Sequence, residues 1–126
     1  MQTLAGTMWR LIEARRFDEA GRDMQPVGPN PMGFIVFEAD RMLAAVVDGR
    51  TELPPGMAPR FFVAYSGTYR FDGEQIVTQA DSASSASLLV DQVRRIRFAS
   101  ATRMVVTPIS GVPGQTGTEL TWERVR

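Results

Sequence analysis

The chain is a succession of short runs in which apolar and polar positions alternate, each ended by residues that favour turns. In YSGTYRFDGEQIVTQA, Tyr65, Tyr69 and Phe71 share one parity, and Ile76 and Thr78 share the matching one beyond Asp72-Gly73. Period-two alternation marks strands with one buried face, and Asp-Gly between two such runs is a strong hairpin signal. A two-residue turn centred on Asp72-Gly73 sets Tyr69 opposite Ile76, Gly67 opposite Thr78 and Tyr65 opposite Ala80. The same reading predicts strands over Trp9 to Phe17, Met32 to Glu38, Arg41 to Val47 and Phe62 to Phe71. It continues with Glu74 to Asp81, Gln92 to Phe98, Arg103 to Pro108 and Thr118 to Val125. No window sustains a helical repeat.

Between the strands, Arg22 to Pro31 contains Pro26, Pro29 and Pro31 and reads as a crossover loop, because proline cannot donate to a central ladder. Thr51 to Arg60 is too proline-rich for a long helix and has room for one turn near Met57 to Phe61. Ser82 to Leu89, SASSASLL, reads as a loop or a weakly packing edge strand. Eight short strands joined mostly by tight turns form either a sandwich or an up-and-down barrel, and the scarcity of long crossovers favours the barrel. The expected fold is all-β, an eight-stranded antiparallel up-and-down barrel. The length of 126 residues fits a single domain over 1–126. A barrel of eight strands is just wide enough to be filled by side chains or to hold one small ligand.

Alternation also assigns faces. Tyr65, Tyr69, Phe71, Ile76 and Thr78 are expected inside, where a phenol needs a hydrogen-bond partner. Phe34 and Val36, with Met42, Ala44 and Val46, supply the neighbouring inner faces. In QVRRIRF, Arg94, Ile96 and Phe98 fall on the apolar side, leaving Arg95 and Arg97 to solvent. Glu13 shares a face with Trp9 and Leu11, which makes it a candidate inward carboxylate and a partner for Arg94. Leu120 and Trp122 line the last strand together with Arg124. The candidate ligand-binding residues are therefore Glu13, Phe34, Val36, Met42, Tyr65, Tyr69, Ile76, Thr78, Arg94, Ile96 and Trp122.

Composition narrows the chemistry. The chain has no cysteine and no histidine, and its 14 basic residues are all arginine. Thiolate and imidazole nucleophiles, Schiff-base lysines and imidazole- or thiolate-ligated metals are excluded, so catalysis would have to use carboxylates, tyrosines, serines or arginines. No metal, haem or covalent cofactor is expected. The 14 acidic residues balance the arginines and are interspersed with them, which argues against a nucleic-acid footprint. No apolar run reaches the ~18 residues of a spanning helix. The start, MQTLAGTMWRL, lacks the basic-then-apolar order of a signal peptide. A cytoplasmic location without membrane association is the expectation.

Five stretches in order, LAGTMWRLIE, PMGFIVFEADRM, FVAYSGTYRFDGEQIV, DQVRRIRF and LTWERV, resemble the bacterial and fungal lipocalin-like domain family over nearly the whole chain. The opening departs from a Gly-x-Trp pattern, because Gly6, Thr7, Met8 and Trp9 place one extra residue before the tryptophan. Relatives often carry histidine after the Asp-Gly turn, where this chain has Gln79 and Asp81. The resemblance implies a calycin-type barrel, a hydrophobic small molecule in the interior, a link to secondary metabolism, and Arg124 packed over Trp9. The leading functional expectation is binding of a small hydrophobic or amphipathic molecule in the barrel. Two alternatives stand beside it. One is an isomerase, cyclase or dehydratase acting on a hydrophobic intermediate through Tyr65, Tyr69, Glu13 or Arg94, and the other is a filled barrel that works through its surface as a homodimerising or interaction module.

Overall fold

The computed structural model describes residues 3–16, 20–23, 27–28, 30–49, 61–109 and 118–126. Its strands are β1 (Met8–Arg15), β2 (Met32–Phe37), β3 (Arg41–Val47), β4 (Phe62–Phe71), β5 (Gln75–Ala83), β6 (Asp91–Ser100), β7 (Arg103–Pro108) and β8 (Glu119–Arg124). Each strand pairs antiparallel with its neighbours in sequence, and β1 pairs with β8, so the sheet closes into an up-and-down barrel. Closure removes the exposed ladder edges that an open sheet of this size would present. The strands follow the expected pattern, and β3, β4 and β7 have the expected bounds. The proline-rich 51–60 segment, where a helical turn is expected near Met57, lies outside the described residues, as do Phe17, Pro26 and Pro29. The serine-rich stretch divides: β5 runs on to Ala83, and Ala86–Leu88 forms a short 3-10 turn.

Where the backbone leaves strict alternation, three bulges are responsible, at Leu11/Glu13, Ser66/Gly67 and Phe98/Ser100. Such bulges add twist and curvature to a closing sheet. Gly67 is needed at the second, because a Cβ there would lie 2.0 Å from the Gln79 carbonyl oxygen. The β4–β5 hairpin also differs in register from the expectation. Phe71 faces Ile76, Tyr69 faces Thr78, Gly67 faces Ala80 and, past the bulge, Tyr65 faces Ala83. Asp72 is the cause. Its carboxylate accepts the backbone N–H groups of Glu74 (2.9 Å) and Gln75 (2.7 Å), which makes it the first residue of the turn. Gly73, at φ 99°, then becomes a central residue with Glu74. The register moves by two residues, an even number, so both strands keep the faces that alternation assigns.

One end of the barrel is closed by aromatic residues. Trp9 and Phe98 meet at a centroid distance of 6.2 Å, and Phe71 packs edge-on against Phe98 at 6.2 Å. Phe71 and Phe98 lie at the strand ends next to the β4–β5 and β6–β7 turns, so this is the end those turns cap. The additional residue before the tryptophan has a use here. The Trp9 indole N–H donates to Thr7 Oγ1 (2.8 Å), and Thr7 Oγ1 donates to the Leu4 carbonyl (2.6 Å). A buried donor is thereby satisfied within the lead-in segment. Arg124 is opposite Trp9 in the β1–β8 ladder and is exposed at the rim.

Candidate functional site

Ile35, Phe37, Met42, Tyr65, Ile76, Thr78, Arg94, Ile96 and Val106 surround a small interior cavity. The strands place them by parity. Ile76 and Thr78 alternate inward on β5 opposite Arg94 and Gln92 of β6, and Met42 and Ala44 of β3 stand opposite Gly67 and Tyr65 of β4. The space between them is about 20 Å³, room for about one ordered water.

Three polar side chains, Arg94, Tyr65 and Thr78, break an otherwise apolar lining. The Arg94 guanidinium donates to the Val93 carbonyl (2.9 Å) and to Gln92 Oε1 (3.0 Å). Gln92, itself buried, is fixed in turn by donating Nε2 to the Leu88 carbonyl (3.0 Å) of the 3-10 turn. Burial lowers the Arg94 pKa from the ordinary guanidinium value, and the nearby Tyr65 opposes that shift. The Tyr65 pKa is raised by burial, with Arg94 pulling in the opposite direction. Among the described residues the Tyr65 hydroxyl makes no hydrogen bond. A cation and a phenol thus both line one largely apolar interior, where charge-assisted hydrogen bonds are strong. Thr78 spends its hydroxyl on a weak bond to Met42 Sδ (2.9 Å).

The remaining candidates are elsewhere. Tyr69 donates its hydroxyl to the Glu38 carbonyl (2.6 Å) and packs edge-on against Phe37 at 5.4 Å, so it pins the β2–β3 turn. Trp122 is buried in the core and does not line the cavity, and its indole N–H has no hydrogen-bond partner among the described residues. Phe34 and Val36 face outward, contrary to the expectation. MGFIVF is apolar on both parities, and Ile35 is the residue aligned between the interior Trp9 and Ala44. Glu13 is also outside. The bulge after Leu11 shifts parity, Ala14 takes the next inward position, and Glu13 pairs with Arg15 on the surface. This removes it as a partner for Arg94, and solvent spares its carboxylate the cost of burial.

Ile35, Phe37 and Val106 on the cavity wall and Gln92 behind Arg94 are not among the candidates that alternation singles out. The parity of Gln92 was available, since it is two residues before Arg94, but a glutamine at a strand start reads as solvated. Among the described residues no helix is long and apolar enough to cross a membrane.

Comparison with known proteins agrees with this architecture. No curated protein and no solved structure matches the chain significantly. The family model described as a lipocalin-like domain matches residues 6–125, and with its closed eight-stranded barrel the chain belongs to that family.

Proposed function

We propose that the barrel binds a small amphipathic molecule, with its apolar body against Ile35, Phe37, Met42 and Ile96 and an oxygen-bearing end at Arg94 and Tyr65. The observation that carries this reading is that a guanidinium buried away from water and a phenol that makes no hydrogen bond among the described residues both line one largely apolar cavity. A carboxylate, enolate or ketone oxygen there accepts from both groups. Entry of such a molecule requires the cavity to widen, and Met42 is the unbranched apolar lining side chain that can swing aside. Nothing in this arrangement requires bond-making, so binding accounts for it without a reaction.

The small volume favours a second reading in which the interior stays filled and the barrel acts through its surface. Titration with a fluorescent fatty acid and an uncharged apolar dye of similar size separates the two. The expected result is saturable binding of both, with Arg94→Met weakening the acid at least tenfold and the dye little, since a charge-assisted hydrogen bond contributes roughly 1.5–3 kcal/mol. Failure of both probes to bind the folded wild-type chain would leave the filled barrel as the surviving reading.

A further inference from the structure

The outer wall over β2, β3 and β4 carries an apolar grid. Three rungs cross it in register: Met32, Val47 and Phe62; Phe34, Ala45 and Ala64; Val36, Leu43 and Ser66. Eight of these nine positions are apolar, and Met32 (56%), Phe34 (43%), Leu43 (51%) and Phe62 (56%) are substantially exposed. Outward strand positions on a solvated wall are normally polar. We propose that this wall is the face through which two copies of the chain pair as a two-fold homodimer, independently of what the interior holds.

Area supports a partner. At about half exposure, the four large side chains alone present on the order of 400 Å² of mostly apolar surface. That is the size of the largest patch on a typical monomer, and such patches are often functional. A stable interface buries about 800 Å² per partner, so the grid supplies a core and its flanks the rest.

The flanks identify the partner. On one side Arg10 pairs with Glu123 (3.4 Å), and on the other Arg41 holds Asp81 through two hydrogen bonds of 3.0 and 2.6 Å. Each flank therefore carries both signs, and the chain's formal net charge is zero. A two-fold copy sets mixed flank against mixed flank without like-charge repulsion. A lipid surface or a strongly charged partner would instead call for a rim of one sign. The closed barrel offers no free edge for strand addition among its eight described strands, so association through this wall is face to face.

The test uses the absence of native cysteine. Ala45→Cys places a single thiol on the middle rung without enlarging the patch much, and Arg97→Cys places one on the opposite wall. Sedimentation of the wild-type chain across a micromolar dilution series should give twice the 13.9 kDa monomer mass at the upper end. A short bismaleimide should cross-link Ala45→Cys far more efficiently than Arg97→Cys, and Phe34→Glu should shift the chain to monomer with an unchanged far-ultraviolet spectrum. If Phe34→Glu unfolds, Leu43→Gln and the cross-linking contrast decide. A wild-type chain that stays monomeric throughout the series would overturn the proposal, whether or not it floats with anionic vesicles. So would a dimer that cross-links equally from both walls.

Discussion

The β2–β4 wall and the β5–β7 wall form one barrel but use opposite chemistry. On β2–β4 both faces are apolar: Ile35, Phe37, Met42 and Ala44 inside, and Phe34, Leu43 and Phe62 outside. On β5–β7 the outward positions most open to solvent are polar or charged, with Gln79, Arg95 and Arg97, while the inside contains the polar exceptions Thr78, Gln92 and Arg94. Inward polarity and outward apolarity are each costly, and they occur on different walls. An exposed apolar face signals a partner that will cover it, and a buried cation signals an anchored group or a ligand oxygen. The difference assigns the two candidate interfaces of the molecule: β2–β4 outward toward another chain, and β5–β7 inward toward a small molecule.

The contrast is sharpest between two phenylalanines on one strand. Phe37 is 1% exposed and Phe34 is 43% exposed. Phe37→Ala is expected to cost about 3–5 kcal/mol in urea unfolding at low protein concentration. Phe34→Ala under the same conditions should change stability by no more than about 0.5 kcal/mol. Equal losses would break the assignment of faces on the β2–β4 wall.

A smaller effect is expected at the joint between the walls. Gly67 lies where β4 meets β5, and the Cβ of Gly67→Ala would press on backbone rather than on a side chain that could move. Its cost should be about 1–3 kcal/mol, read as a lower melting temperature with an unchanged β spectrum. A melting temperature equal to wild type would mean that the bulge can open without penalty.

The smallest effect concerns the turn that joins the walls. Asp72 has its pKa lowered by the N–H groups of Gln75 and Glu74. A carboxylate whose folded pKa is depressed adds stability above its unfolded value of about 3.9, and that stability is lost as pH falls through the folded pKa. Asp81, held by Arg41, acts with the same sign. Asp72→Ala should therefore melt below wild type at neutral pH, with the gap narrowing on acidification below about pH 4. A gap independent of pH would assign the turn's stability to something other than the ionised carboxylate.

Strand number and the inward parity of Tyr65, Ile76, Arg94 and Ile96 could be read from the chain alone, because alternation is a local property of the backbone. On β5 and β6 the outward residues are polar enough for period two to distinguish inside from outside. On MGFIVF they are not, and only the ladder linking Ile35 to Trp9 and Ala44 decided which parity is buried. Tertiary structure alone also decided the outward turn of Glu13, because a bulge answers to the curvature of the closing sheet rather than to the residues beside it. The same holds for the meeting of Arg94 with Tyr65 and Gln92 and for the size of the space between them. Burial and proximity are relations among strands, and no strand specifies them by itself.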